Sequence, residues 1–519
     1  MTSSFATHRF LWLFLFAAVF ISFFYNIWEI PLFDVDEGAF SQATREMFLR
    51  HDFISTYLNG QPRYDKPILI YWLQAASVSL LGFNEFGLRL PSALSSLLWA
   101  LLIVAFAQRI LADRRQALIA ALLMATSLEI AVIGKAATAD ALLNLLIAGN
   151  MFSLFWFLQQ KEPHYLYLSA AFCAFGVLTK GPVAVLIPAV VSLLYCASYG
   201  DWRGWLRLFN YPLAWGIFLL IVLPWHLLQY WQQGDAFVQG FFFKHNVGRF
   251  QQAMEGHSGA FWFYVPVLLI GWLPYTALLL LTLRHSRTLW QQPWARFMWL
   301  WFGFVFLFFS LAATKLPHYL VYGYSGLLLL MASQADQLRS KLWAFLPQIV
   351  LLLLLLALPW ALEYSLPQMR DAFLQAALQN PWQYFPSRYF VLLGIGLLGS
   401  FYCLWDQRLA ILPKLLASGL YLSVLISSQL LPLVAEVQQK PIVEAARIAK
   451  NLPHPLVMWR LHMPSFSLYS GRIAEPRAPQ SGDLVLSKTK HLPDLPGYPA
   501  QQQILYQQQG IVLVLLTPG

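Results

Sequence analysis

The sequence predicts an all-α polytopic membrane protein with about thirteen transmembrane helices, followed by a small C-terminal α/β domain. Three observations lead there. Of the 519 residues 58% are hydrophobic and only 11% are charged, against roughly 25% charge in a typical soluble domain. Apolar runs of bilayer-crossing length, about 17 to 25 residues, recur from Phe10 to Leu431. Beyond Val434 the runs shorten and Gln, Pro and Gly become frequent.

The first apolar run is followed by no small-residue cleavage site, so it reads as an uncleaved first span and not as a signal peptide. With Arg9 in the cytoplasm, the polar stretch 29–66 lies outside. The next apolar segment, Pro67 to Gly82, is expected to lie along the interface or re-enter. A full crossing there would put Arg114 and Arg115 outside, against the positive-inside tendency. Taking Leu90 to Leu111 as the second span, every inner loop is basic: Lys161, then Arg203 and Arg207, then Arg284, Arg287 and Arg296, then Arg339 and Lys341, then Arg408. The outer connections hold Lys135 with Asp140, Lys180, the stretch 229–259, Lys315 and the stretch 363–388.

After the last span, residues 440–451 have helical spacing with Pro441 suited to a first turn, and 456–459, 484–486 and 511–516 resemble short strands. The expected division is a membrane part, 1–432, with its first outer loop at 29–89, and a soluble part, 433–519, outside the cytoplasm. The net charge of +10 is dispersed between apolar runs as topology signals are, which argues against a nucleic-acid partner. Cys173, Cys196 and Cys403 all fall inside apolar runs and read as packing residues.

The chemistry-bearing residues gather in the outer segments. Asp36 and Glu37 precede Arg45 and Glu46, and Asp65 and Lys66 precede Pro67. Most charged loop residues are simply solvated, yet isolated ionisable groups at a membrane edge are functional candidates by default. One carboxylate could act as a general base toward an acceptor. Lys66, as a point charge, and Arg249, as a bidentate fork, suit a phosphate leaving group, although lipid headgroups attract the same residues. Asp140 opens an apolar run, where an acid can also serve a helix N-terminus. His226, His245, His257 and His318 lie toward the same side, but no His-x-x-x-His pair is present, so a divalent metal ion as cofactor stays open.

The ordered motifs Asp36-Glu37, Arg45-Glu46-Met47, Tyr64-Asp65-Lys66-Pro67, Gly87 to Arg89, Ala139-Asp140, Thr179-Lys180-Gly181, Pro224-Trp225, His245 to Phe250 and Lys315-Leu316-Pro317 resemble the bacterial aminoarabinose-lipid A transferases. These stand with the protein O-mannosyltransferases among the integral-membrane glycosyltransferases of the GT-C fold. The resemblance implies an inverting transfer from a polyprenyl-phosphate sugar donor to a lipid, lipid A-like or other envelope acceptor, in the bacterial inner membrane and facing the periplasm. It implies the donor-phosphate cations at Lys66 and Arg249 and the important acids at Asp36, Asp65 and Asp140, with Glu37 beside them. His245, Lys180 and Lys315 are secondary candidates. Two positions differ from the aminoarabinose pattern: Asp65 stands where Glu is usual and Ala39 where Arg is usual, so the sugar and the acceptor stay open.

The competing class is a transporter or flippase of a lipid-linked or anionic substrate. Such proteins place binding charges near the bilayer midplane and often show two related halves. Here the charges crowd one face and no halves repeat.

Overall fold

A computed structural model describes residues 2–248, 259–369, 372–497 and 501–517. Nine helices lead the chain to the site and its surroundings: α1 (Thr2–Val19), α2 (Asp36–Arg50), α3 (Leu69–Leu81), α4 (Glu85–Ile110), α5 (Arg114–Thr126), α6 (Leu128–Ile133), α7 (Asp140–Gln160), α8 (Pro163–Lys180) and α9 (Val183–Ala197). Their ends follow local chemistry. Asn84 caps α4 by accepting the Gly87 N–H at 2.8 Å, and Asp113 caps α5 by accepting that of Arg115 at 2.9 Å. Both supply an oxygen to a backbone donor that the helix leaves unpaired. Pro163 opens α8, where its missing N–H costs nothing, and Gly181 closes it at φ +82°, in the region where only glycine is unstrained.

Among the described residues, seven helices are long and apolar enough to cross a membrane, or eight if the pair Phe261–Gly271 and Thr276–Arg284, bent by 120°, forms one span. Several further apolar runs are shortened or interrupted and fall below that length. The run 114–133 breaks at Ser127, whose backbone is extended, and α9 has only 15 residues. Helix α3 has 13 residues, about 20 Å at 1.5 Å per residue, which is short of a hydrocarbon core of about 30 Å. That length agrees with the loop-charge reading, in which Pro67 to Gly82 does not cross.

Helix α2 is of a different kind. It is flanked by the buried faces of α3 and of the helix Pro464–Ser470, and it carries Asp36 and Glu37 in its first turn, where the helix dipole favours acids. A short hairpin, β1 (Tyr57–Leu58) with β2 (Gln61–Pro62), turns the chain back toward Asp65.

The C-terminal segment forms a four-stranded sheet from β3 (Leu456–Met458), β4 (Leu484–Lys488), β5 (Gln502–Gln508) and β6 (Ile511–Leu516), in the order β3-β4-β6-β5. The first pair is parallel and the other two are antiparallel. Strand alternation sends Leu456, Leu484 and Leu513 to one face, against Ile442, Ala445 and Ala449 of the helix Lys440–Lys450. Val457, Val485 and Val514 point the other way, toward Leu492 and Leu495. This is the period-2 pattern of a sheet buried on both faces. The segment is seated on the membrane part through Ser465, whose backbone N–H donates to Asp34 Oδ1 at 2.9 Å and whose hydroxyl donates to Asp34 Oδ2. Tyr469 adds a second anchor, accepting from the Leu32 N–H at 2.8 Å and donating to Glu85 at 3.0 Å.

Candidate active site

The two acids that open α2 have different surroundings. Glu37 is buried, and Arg89 of α4 grips it with both faces of its fork, Nε to Oε1 at 2.8 Å and Nη2 to Oε2 at 2.6 Å. The backbone N–H groups of Phe33 and Ala137 donate to the same oxygens at 2.9 and 2.7 Å. Burial alone would raise the carboxyl, but the Arg89 charge and these hydrogen bonds outweigh it and hold Glu37 below its usual range. Arg89 also donates to the carbonyls of Ile27, Ile30 and Pro31, so the pair ties the end of the first span to α2 and α4. Asp36, one residue earlier, is exposed, and its carboxylate makes no hydrogen bond or ion pair with another described residue.

Asp36 lines a polar cavity of about 640 Å³ together with Asp65, Lys66, Asp140, Lys180, His245 and His318. Asp140 begins α7 and Lys180 ends α8, the neighbouring helix. Each therefore sits where the helix dipole favours its charge, and they meet at 2.6 Å. Tyr322 donates to Asp140 Oδ1 at 2.8 Å, Thr138 donates to Oδ2 at 3.1 Å, and His318 Nε2 stands 3.8 Å from Oδ1. Tyr319 and Tyr322 come from one 3₁₀ segment, Pro317–Gly323, whose three-residue turn sets positions three apart on one face. Both rings lie near the Lys180 ammonium, at 5.4 and 5.2 Å.

The second acid cluster is at Asp65. His245 Nε2 approaches Asp65 Oδ1 at 2.8 Å and Arg63 approaches Oδ2 at 3.4 Å. Burial pushes this carboxyl up, but the His245 hydrogen bond and the charges of Arg63 and Lys66 hold it well below the usual carboxylate range. Asp65 is therefore a fixed anion at neutral pH. Lys66 Nζ donates to the Asp65 carbonyl at 3.2 Å.

An apolar slot of about 330 Å³ adjoins this cavity, walled by Leu186, Phe242, Phe243, Phe308 and Phe309. Asp65, Lys66, Lys180, His245 and Tyr319 line both spaces, so the charged groups stand on the seam between a polar and an apolar compartment. Arg249, the second cation expected for phosphate, lies outside the described residues. Lys315 is near the site but turned to another use: its ammonium donates to the carbonyls of Ser310 and Ala312 at 2.8 Å each, capping the end of the helix Pro293–Leu311. Among the described residues no group of three or more His, Cys, Asp or Glu is arranged to hold a metal ion.

Sequence reasoning did not single out Arg63, Tyr319, Tyr322 or Lys244, nor His462 of the C-terminal segment, which also lines the polar cavity. Arg63 and the two tyrosines adjoin recognised motifs, and that proximity was the available signal. His462 had none.

The chain is similar to several known proteins. The family described as dolichyl-phosphate-mannose-protein mannosyltransferase matches residues 65–228. The chain is 32% identical over 328 residues to the undecaprenyl phosphate-alpha-4-amino-4-deoxy-L-arabinose arabinosyl transferase of Edwardsiella ictaluri, a match covering 61% of this chain and 58% of that relative. It is 33% identical over 307 residues to the protein of the same name from Pectobacterium atrosepticum, covering 58% and 55%. The matches thus span less than two thirds of these relatives. In three dimensions the chain superposes on ArnT from Cupriavidus metallidurans in the apo state with a TM-score of 0.81 at 21% identity, over 98% of both chains. With the same protein bound to undecaprenyl phosphate the TM-score is 0.79. The chain accordingly has the GT-C fold of the integral-membrane glycosyltransferases and is related to the aminoarabinose transferases that its motifs resemble.

Proposed function

We propose that the protein is an inverting glycosyltransferase that moves a sugar from a polyprenyl-phosphate donor to a lipid or other envelope acceptor on the periplasmic face of the inner membrane. The observation that carries this reading is the seam of Asp65, Lys66, Lys180, His245 and Tyr319 between a polar cavity and an apolar slot. A prenyl phosphate has the same division: its chain fits the aromatic slot, its phosphate belongs at the seam, and its sugar extends into the polar cavity. Lys66 neutralises the phosphate, and Arg249, four residues beyond His245, is proposed as its bidentate partner.

In the reaction an acceptor oxygen forms a bond to the anomeric carbon while the bond from that carbon to the phosphate oxygen breaks. The phosphate leaves with the electron pair. Cations outside bulk water stabilise the charge that grows on it. For a hydroxyl acceptor the proton passes to Asp36, the acid of the cavity whose oxygens no described side chain occupies. Asp65 and His245 hold Lys66 and the seam in place, and Asp140 with Lys180, Tyr322 and Thr138 forms the opposite acid wall. Binding both lipid-anchored partners in one cavity supplies proximity. The relatives' names specify 4-amino-4-deoxy-L-arabinose. Here the proposal extends to a pentose or hexose donor, because Asp65 and Ala39 differ from the aminoarabinose pattern.

The test is transfer by the purified, reconstituted protein from undecaprenyl-phosphate-linked sugars. Lys66→Ala is expected to lower transfer by about 10³-fold and to weaken undecaprenyl phosphate binding, the scale seen when an electrostatic donor is removed from a reacting oxyanion. The product should have inverted anomeric configuration. Undiminished transfer by a folded Lys66→Ala protein would remove the phosphate role from the seam.

A further inference from the structure

A further cavity, of about 460 Å³, shares no lining residue with the polar cavity or the aromatic slot. Its volume is within the range of small-molecule sites. It lies where the first span ends, between Glu29, Arg388 at the start of the helix Ser387–Trp405, Gln429 of the last long helix and Arg447 of the helix Lys440–Lys450. The membrane part and the C-terminal segment therefore both wall it. The first span ends in a π-helical turn, Phe20–Phe24, and the last long helix contains another, Ile426–Leu430, a distortion frequent at functional sites. Asn26, at φ +64°, stitches the two helices together by donating to the Ser427 carbonyl at 3.1 Å.

Three carboxylates and three cations line this cavity, and the fold pairs only some of them. Lys440 holds Glu436. The remaining charges are two of each sign, Glu29 and Glu444 against Arg388 and Arg447, and no ion pair joins them. Glu444 accepts from the Tyr506 hydroxyl at 2.8 Å. The side chains of Glu29, Arg388 and Arg447 are exposed and make no hydrogen bond or ion pair with another described residue. A lone anion entering here would be repelled by two carboxylates, and a lone cation by two guanidiniums. A ligand that carries both charges satisfies both sets. The surroundings also fix the kind of ligand. Tyr25 and Trp28 are exposed and meet edge to face at 6.4 Å, as aromatic residues do at a bilayer interface. Deeper in the membrane part, Phe16 and Phe20 of the first span and Val391 and Ile395 of the helix Ser387–Trp405 are exposed apolar side chains, a surface suited to acyl chains.

We propose that this cavity holds the headgroup of a zwitterionic glycerophospholipid of the phosphoethanolamine class, with the phosphate between Arg388 and Arg447 and the ammonium toward Glu29 and Glu444. A guanidinium fork matches phosphate oxygens. A primary ammonium brings three N–H donors to the carboxylates, whereas a trimethylated one brings none. The acyl chains follow the first span and the helix Ser387–Trp405. The lipid bridges the molecule, since Glu29 and Arg388 belong to the membrane part and Glu444 and Arg447 to the C-terminal segment. It is a bound component and not a reactant, so the site stands independently of the glycosyltransferase reading.

Native mass spectrometry of the full chain, delipidated in detergent and titrated with palmitoyl-oleoyl phospholipids, tests this. One phosphatidylethanolamine is expected to bind about 10-fold more tightly than phosphatidylcholine or phosphatidylglycerol, the scale of one charge-assisted hydrogen bond. Glu29→Gln combined with Glu444→Gln should erase that preference and let phosphatidylglycerol bind as tightly. Arg388→Gln combined with Arg447→Gln should weaken phosphatidylethanolamine binding by about 10-fold or more. Lys66→Ala should bind it as the parent does. The lipid-free melting temperature of each variant should match the parent's, while the rise on adding phosphatidylethanolamine should shrink as affinity falls, because the lipid joins two parts of the chain. Soluble glycerophosphoethanolamine should compete poorly, since it lacks the chains. Equal binding of phosphatidylethanolamine and phosphatidylcholine by the parent would overturn the proposal. So would an unchanged preference in the double-acid variant, parent-level binding in the double-arginine variant, loss of binding in Lys66→Ala, or full competition by glycerophosphoethanolamine.

Discussion

Two buried acid–base pairs within the same bundle serve different ends. Glu37 and Arg89 saturate each other: both carboxylate oxygens and the guanidinium fork are taken up, and two backbone N–H groups complete the set. Asp140 and Lys180 are as closely paired, at 2.6 Å, but their partners, Tyr322 and His318, come from a single 3₁₀ segment, and both members face the polar cavity. Glu37 and Arg89 also line a pocket, but their donors and acceptors are taken up by the fold and hold helices together, whereas Asp140 and Lys180 share the polar cavity with Asp36 and Lys66 and can also act on what enters it. Burial and ion pairing alone do not distinguish the two; the other charged groups that each pair faces do.

Four experiments would break or sharpen that contrast. The largest effect is expected at the open pair. Asp140→Asn should lower sugar transfer by about 10³-fold, the upper scale for losing an electrostatic group at a reacting centre. Its melting temperature should stay within a few degrees of the parent, since Asn can still accept from Tyr322 through its oxygen and donate to the Thr138 hydroxyl through its amide nitrogen. Parent-level transfer would make this pair as structural as the other.

At the saturated pair the loss should be one of stability. Glu37→Gln is expected to cost about 3 to 5 kcal/mol, the usual result of leaving one buried charge without its partner, as read by denaturant unfolding in detergent. Transfer per folded molecule should remain within a few-fold of the parent. A folded variant of parent stability that no longer transferred would move Glu37 into the chemistry.

Lys315 is the intermediate case, a cation beside the cavity that is spent on two carbonyls. Lys315→Met should cost about 1 to 3 kcal/mol, the range for buried acceptors left without a charged donor, and leave the donor KM unchanged. A raised donor KM would show that its charge reaches the phosphate.

The smallest and most local effect concerns Asp34, which burial pushes up to about 7 from its ordinary 3.8, with the Ser465 hydrogen bonds opposing the rise. Between those two values the folded state keeps a proton that the unfolded state has released. Stability should therefore fall as pH rises through that window and level off above it. Asp34→Asn should flatten the slope of melting temperature against pH between 4 and about 7, and an unchanged slope would exclude this residue as its source.

Much of this was legible in the chain because it depends on composition and neighbouring residues. The membrane class follows from the hydrophobic fraction, the short α3 from loop charge, and the β3, β4 and β6 strands from apolar runs. Asp36, Asp65, Lys66, Asp140, Lys180 and His245 were singled out before any geometry, and all six line one cavity. Where an apolar run breaks was less legible, since a break such as that at Ser127 depends on how one helix packs against the next.

The sequence by itself determined which residues carry charge next to the membrane and in what order they come. Only the tertiary structure decided what each charge is for. Arg89 reaches Glu37 across 52 positions, Tyr322 reaches Asp140 across 182, and Ser465 reaches Asp34 across 431. Lys135 meets Ser427 across 292 positions. The cost of burying a charge is set by the partner it finds, and that partner is chosen by which helices and loops the fold brings together.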